Sequence, residues 1–379
     1  MSRRKVLCPY CFETINLSEA PFLCENRRCE EEARKKNRIA SFSRPSIPLL
    51  ERMGIWAPPD ELVHTDCGEM SHIRLCPKCL EVLPRDIEKF TDCINIAIIG
   101  HTASGKSCYI AMLIKRIQEL GLDYDWSLYP VNDATMNNYQ MLYRQPLFKN
   151  HLIVSTREAM HLVYALYTKR RKKVLIVFND FPGEVFVSSK DLKSKYNNYI
   201  CNASGIICIV DPLQLSSVRN IILAKHDEQE FHTVRAAQSG QIMDVIINLI
   251  REGSAKNAKG KIQIPFAVAL SKMDFIKDAG ENASRLYGRI FEESRHKKSF
   301  DKEEFENIDS MVRAWLSELE AKDIVCQSNA FKSTGFFGFS ALGCNPQSVN
   351  AKEPALDRDP ISCRVEDPFL WILKQNKII

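Results

Sequence analysis

The chain has 379 residues, 45% of them hydrophobic and 26% charged; that much apolar content over that length buries a substantial core, which excludes disorder throughout and fits one large domain with attachments or two domains. Its formal net charge of +5 is small for the size, so no global field points to nucleic acid or to an anionic membrane. No charged-then-apolar start reads as a signal peptide, and no apolar run approaches the roughly eighteen residues of a membrane span, so the expected compartment is the cytoplasm.

Seven of the 14 cysteines lie before residue 80, six of them in pairs and Cys67 beside His64. Cys93, Cys108, Cys201, Cys208, Cys326, Cys344 and Cys363 are scattered, mostly in apolar segments where cysteine behaves as a small buried hydrophobe, and no disulfide framework is implied. The first unit, Leu7-Cys8-Pro9-Tyr10-Cys11-Phe12-Glu13, recurs in outline as Leu75-Cys76-Pro77-Lys78-Cys79-Leu80-Glu81. Two thiolates flanking a short turn whose φ proline fixes make a knuckle that presents both sulfurs to one tetrahedral Zn²⁺. Between the knuckles lie Cys24 with Cys29 and His64 with Cys67, so eight ligands fill about two zinc sites. Spacing leaves two pairings open: sequential (Cys8, Cys11, Cys24, Cys29, then His64, Cys67, Cys76, Cys79), or interleaved, joining the two C-P-x-C knuckles. His72 competes with His64. The acidic then basic run over residues 30–38 reads as a solvated helix, and the Pro-rich passage from Pro45 to Pro59 as a loop or linker. The zinc module ends near Pro84.

The apolar run Ile94–Ile99 reads as a strand, and Gly100-His101-Thr102-Ala103-Ser104-Gly105-Lys106-Ser107 follows it, ahead of a helical pattern from Cys108 to Leu120. A G-x4-G-K-S match arises by chance about once in a hundred chains of this length. The glycines let backbone N–H groups close around a di- or triphosphate at a helix N-terminus, Lys106 reaches the outer phosphates, and the Ser107 hydroxyl can ligand Mg²⁺. Residues 121–150 are polar and aromatic without clean periodicity. Residues 161–168 and 173–179 read as strands, the basic run between them as a solvated turn. The second strand ends in Asp180-Phe181-Pro182-Gly183-Glu184, where Asp180 can hold Mg²⁺ through water and the Gly183 N–H can meet a γ-phosphate. A strand at 205–210 ends in Asp211-Pro212, and a long helical region runs to about Glu252. The strand 265–270 delivers Ser271-Lys272-Met273-Asp274: the Asp274 carboxylate can accept from N1–H and the N2 amine of guanine, while the Lys272 stem covers the base face. A charged helix near 302–319 precedes Phe336-Phe337-Gly338-Phe339-Ser340-Ala341-Leu342-Gly343, a strand entering a base-edge loop. The tail 365–373 reads as a closing helix on the sheet.

Four motifs in this order resemble the TRAFAC-class GTPases, which include Ras-like proteins: GHTASGKS as the phosphate loop, DFPG as the D-x-x-G switch, SKMD as N/T-K-x-D with serine first, and SAL as the loop whose backbone touches guanine. The resemblance implies that Gly100, Ser104, Gly105, Lys106, Ser107 and Cys108 line the phosphates, that Asp180 and Gly183 sense the γ-phosphate, and that Lys272, Asp274, Ser340, Ala341 and Leu342 hold the base. It also implies a switch threonine on Mg²⁺, for which Thr156 is the candidate and Thr135 the runner-up. Two departures stand out. Glu184 occupies the place of the water-orienting glutamine, and Ser271 replaces the asparagine that braces the phosphate loop, so slow hydrolysis, or hydrolysis completed by a partner, is expected. The zinc module, D-x-P-G-E and the late Pro-Phe-Leu-Trp helix are similar to bacterial double-GTPase-type proteins, associated with conflict or defence systems; a second GTPase would be another polypeptide, since this chain carries one set of motifs.

The expected architecture is α/β: a zinc-ribbon-like module over residues 1–85, then a P-loop GTPase domain over 92–379 with a mostly parallel sheet flanked by helices. The expected function is a GTP/GDP switch using Mg²⁺ and about two Zn²⁺, acting on an effector or regulatory protein. The rival is a nucleotide-binding adapter with negligible turnover whose zinc module recognises protein or nucleic acid.

Overall fold

The computed structural model describes residues 5–53, 55–152, 160–169, 172–182, 197–224, 239–254, 259–278, 281–292, 294–319, 321–344, 347–349 and 353–379. The chain divides into two compact units, Met1–Cys93 with Arg171–Leu175, and Ile94–Arg170 with Ile176–Ile379.

The first unit has little apolar interior. Three short antiparallel pairs run through it: Lys5–Leu7 with Thr14–Asn16 (β1, β2), Phe22–Leu23 with Ser41–Phe42 (β3, β4), and Leu62–Val63 with Met70–Ser71 (β5, β6). One of its apolar clusters is only Phe22, Cys24 and Phe42. The charged run forms a helix, Arg27–Lys35 (α1), capped by Asn26 and with no buried residue, as its charge pattern implied. The Pro-rich passage carries one helical turn, Leu49–Arg52 (α2), tied down by a two-pronged contact of Arg44 with the buried Glu51 at 2.6 and 2.5 Å.

The second unit is built on a seven-stranded sheet: Asp92–Gly100 (β7), Ser127–Pro130 (β8), Met160–Tyr167 (β9), Lys173–Asp180 (β10), Gly205–Val210 (β11), Phe266–Leu270 (β12) and Thr334–Gly338 (β13). Their spatial order is β13-β12-β11-β7-β10-β9-β8. β7, β11, β12 and β13 pair in parallel, and the added edge strand β8 runs antiparallel to β9. Every residue of β11 and β12 is buried, because parallel strands covered on both faces need unbroken apolar runs. The closing helix, Asp367–Gln375, buries Phe369 to Leu373. It approaches so closely that a Cβ on Gly205 would lie 2.7 Å from Ile372, which accounts for glycine at the start of β11.

The aperiodic stretch 121–150 is where sequence patterning failed. It holds β8 and the helix Asp133–Asn138, capped by Asn132, which continues as a π-helix, Tyr139–Lys149, with Pro146 inside it. Among the described residues, the long helical region after β11 holds the helices Ser216–Leu223 and Ser239–Gly253. The helices Glu281–Ile290 and Lys322–Ser328 had no counterpart in the sequence reading.

Beside the closing helix lies a buried charge cluster. Arg364 donates to Glu304 at 2.8 Å and to Asp367 at 3.2 Å, and its Nε donates to the Ile290 carbonyl. His296 sits 3.8 Å from the other Asp367 oxygen. All four side chains are at most 3% exposed. Arg289 adds a second guanidinium 3.8 Å from Glu304, yet in so dry a place Asp367 is pushed up to about 8, chiefly by burial and next by Glu366. Burial also lowers the His296 pKa. Among the described residues no helix is long and apolar enough to cross a membrane.

Candidate functional site

β7 delivers Gly100 to the top of the sheet, and the helix Lys106–Glu119 starts six residues later. A Cβ on Gly100 would lie 2.6 Å from the Ile209 carbonyl oxygen, and Gly105 sits at φ +89°, the left-handed conformation that lets the loop turn into the helix. Lys106 is turned back into this loop, its Nζ donating to the carbonyls of Gly100 at 3.0 Å and His101 at 2.9 Å. Ser107 Oγ donates to Asp180 Oδ2 at 3.2 Å, and Tyr143, from the π-helix, donates to the same oxygen at 3.0 Å. Burial and the Asp180 charge hold the Tyr143 hydroxyl well above the usual tyrosine pKa, so it stays a donor. Cys108 is buried in the first turn of the helix.

The brace expected to be missing is present in another form. Ser271 Oγ donates to the Ser104 carbonyl at 2.9 Å, because the end of β12 comes close enough for a short hydroxyl to do what a longer amide was expected to do. Gln214, after β11, adds a second prop from its Nε2 to the Thr102 carbonyl at 3.1 Å.

On the base side, Lys272 adopts φ +53° and its Nζ pairs with Asp211 Oδ2 at 2.6 Å. Asp211 is itself fixed by the Leu213 N–H on its other oxygen. Ser340 Oγ donates to Asp274 Oδ1 at 2.5 Å and accepts from the Gly343 N–H at 3.0 Å. Burial raises the Asp274 pKa, opposed by the Ser340 bond. Ala341 and Leu342 follow in the same loop, at the end of β13. Asp211, Gln214 and Tyr143 were not singled out as site residues. The strand ending in Asp-Pro was the visible signal for Asp211; nothing in the sequence marked Tyr143.

Thr135 is buried, and its Oγ1 accepts from the Val163 N–H at 3.3 Å, which commits it to the sheet. Thr156, Gly183 and Glu184 lie outside the described residues.

In the first unit the ligand pairing is the interleaved one. Cys8, Cys11, Cys76 and Cys79 form one cluster; Cys24, Cys29, His64 and Cys67 form the other, each set of ligand atoms lying within 4.8 Å of one another. The Cys8–Cys79 and Cys11–Cys76 sulfurs are 3.8 Å apart and Cys24–Cys67 3.6 Å, against the ~3.8 Å edge of a tetrahedron with 2.3 Å Zn–S bonds. His64 Nδ1 lies 3.2 to 3.7 Å from the three sulfurs of its cluster, while Asp66 stands 3.5 Å from Nε2, the carboxylate behind a ligating imidazole. His72 joins neither cluster. The donor sets therefore fit two zinc ions.

The sequence echo is also a structural one, with a third copy that was not recognised. In Cys8–Glu13, Cys76–Glu81 and His64–Glu69 alike, the first residue's N–H bonds to the glutamate carbonyl and its own carbonyl accepts from the residue before that glutamate. That penultimate residue has positive φ each time: Phe12 +57°, Leu80 +61°, Gly68 +78°. The backbone N–H groups of Tyr10 and Lys78 point at the Cys8 and Cys76 sulfurs at 3.4 Å. Cys79 is drawn down to about 5 by the hydrogen bond from Cys8.

Comparison with known proteins agrees with this geometry. The Double-GTPase 2 family model matches residues 94–316, more than half of the chain, and the chain belongs to that family; its fold is that of a P-loop GTPase. It is 22% identical over 392 residues to a protein of Mycolicibacterium smegmatis whose name assigns it to ESX-1 scaffolding and assembly (SaeC), covering 96% of this chain and 97% of that one. Among solved structures, it is similar to Methanosarcina barkeri Roco2 RocCORdC bound to GDP, at 13% identity and a TM-score of 0.27, over 67% of this chain and 45% of that one. The chain thus spans under half of that structure's length.

Proposed function

We propose that this Double-GTPase 2 family member is a guanine-nucleotide switch that binds GTP with Mg²⁺, hydrolyses it slowly, and presents its state to a partner protein. The observation that carries the reading is Asp274, a carboxylate held by Ser340 beside a phosphate loop that Ser271 braces from the same strand end. Two acceptors on one carboxylate suit the N1–H and N2 amine of guanine, and adenine offers no such pair. Lys272, drawn toward Asp211, would lay its stem along the base face. Lys106 would exchange two loop carbonyls for the outer phosphates, and the loop N–H groups would cradle them. Bound Mg²⁺ would supply positive charge to the phosphates, and Ser107 and Asp180, hydrogen-bonded to each other, are the side chains that would hold it. Thr156, Gly183 and Glu184 complete the proposed switch. Glu184 brings negative charge where glutamine serves other GTPases, which supports slow turnover.

The zinc unit is the proposed recognition module. The relative named for ESX-1 scaffolding and assembly supports a role in assembling a secretion apparatus over one in defence, and it favours the adapter reading, in which nucleotide occupancy matters more than turnover. Two assays on the full chain separate these: nucleotide released on denaturation, and phosphate release with Lys106→Ala as the control. Tight GTP binding with phosphate release above the Lys106→Ala background supports the switch. Tight binding without release supports the adapter, and ATP bound as well as GTP refutes both.

A further inference from the structure

Two and a half turns along the helix that starts at Lys106, about 13 Å by helical rise, Lys115 looks into a cavity of about 710 Å³. The cavity lies between that helix, the edge strand β8 with its neighbour β9, and the π-helix, and its size falls in the range of pockets that bury small ligands. Tyr139 and Tyr164 line it, 6% and 1% exposed. Lys115, Arg144, Lys149 and Phe148 line it too, with the Lys115 ammonium 5.4 Å over the Phe148 ring. One carboxylate, Asp359, faces the same space, and His151 already engages it at 3.1 Å. Among the described residues neither Arg144 nor Lys149 has a carboxylate partner, and Lys115 has Glu119 at 3.0 Å. Three cations against one acid, with Phe148 the half-buried aromatic ring among the lining residues, suit a flat ring bearing phosphate: the ring lies on Phe148 and the phosphate takes charge-assisted hydrogen bonds from Arg144 and Lys149. The backbone that carries these two residues is an eleven-residue π-helix with a proline inside it, a winding found mostly as single turns and frequently at functional sites.

We propose that this cavity is a second binding site, for a nucleoside phosphate, separate from the phosphate loop. The inference goes beyond the switch reading and does not depend on GTP being the ligand of that loop.

The test is calorimetric titration of the full chain with AMP, GMP, flavin mononucleotide and inorganic phosphate, against the parent, Lys106→Ala, Phe148→Ala and an Arg144→Ala/Lys149→Ala double variant. At least one of the three nucleotides should bind tenfold or more tightly than inorganic phosphate. That binding should weaken tenfold or more in the double variant, fall severalfold in Phe148→Ala, and survive in Lys106→Ala. Arg144 and Lys149 are exposed, and a circular dichroism spectrum matching the parent's would confirm that their removal leaves the fold intact. No binding by any of the three at millimolar concentration overturns the proposal. So does binding lost in Lys106→Ala and kept in the double variant, which would assign the nucleotide to the phosphate loop. Inorganic phosphate binding as tightly as the nucleotides would refute the ring-binding role.

Discussion

Asp274→Asn is the most discriminating change, because it alters one atom in a carboxylate whose other partners are known. Ser340 occupies one acceptor position on Oδ1 at 2.5 Å, and a carboxylate has about four, which leaves enough for guanine's N1–H and N2 amine. Each charge-assisted bond contributes about 1.5–3 kcal/mol, which makes the parent prefer GTP over ATP by on the order of 10²–10⁴ in affinity. In the variant an N–H donor meets the N2 amine, one bond is lost, and a buried donor faces another donor. GTP affinity should fall by roughly 10²-fold. The same donor suits the O2 of xanthine, so XTP should gain. Competition of GTP, ATP and XTP against a fluorescent guanine nucleotide gives the three affinities. If the variant binds them in the parent's ratios, Asp274 does not face the base, and the guanine assignment fails.

Three further changes test other parts of the structure. Metal analysis of protein purified without chelator should give about two Zn²⁺ per chain, and Cys76→Ser should lower that number and unfold the first unit, since binding energy in such modules is folding energy; a metal-free protein with an intact first unit would refute this. Ser271→Ala leaves the Ser104 carbonyl without its hydroxyl, a loss of about 1–3 kcal/mol, so nucleotide affinity should drop roughly 5- to 150-fold with GTP and ATP affected alike; unchanged affinity would mean that the brace is idle. Asp367, at about 8 in the fold against 3.8 for its ordinary value, keeps a proton that the unfolded chain gives up. Its contribution is full below about pH 4 and is lost as pH rises to about 8. Thermal melts should therefore show Asp367→Asn gaining on the parent by up to a few kcal/mol between about pH 5 and pH 9. A constant difference would locate the proton elsewhere, His296 being the nearest other candidate.

What the sequence made legible was whatever sits at a strand end. The phosphate loop, Asp180, Lys272 and Asp274 each follow an apolar run, and a short motif there fixes the element and where its side chains stand. The zinc pairing was not legible, because both pairings use the same spacings; only the fold shows that Cys8 and Cys11 meet Cys76 and Cys79 while Cys24 and Cys29 meet His64 and Cys67. The third knuckle was hidden because glycine in His64–Glu69 stands where Phe12 and Leu80 stand, and the shared property is a positive φ rather than a residue type. The π-helix escaped a search for a 3.6-residue period because its bonds run one residue further along the chain. Ser271 misled for a related reason: residue identity gave its loss of length but not how near β12 brings it to Ser104.

The nesting of the two zinc clusters sets an order of assembly. The outer cluster must join Cys11 to Cys76, 65 residues away, whereas the inner joins Cys24 to Cys67 across 43. Once the inner ion is held, the slack between outer knuckles shrinks to the arms 11–24 and 67–76, about twenty residues, which lowers the entropy of outer closure by about 1 kcal/mol. During synthesis the inner ligands are also complete first, with the outer pair still waiting for Cys76 and Cys79. Metal uptake would then be cooperative and directional, and by linkage an ion in the outer cluster would tighten the inner one by the same factor of about five.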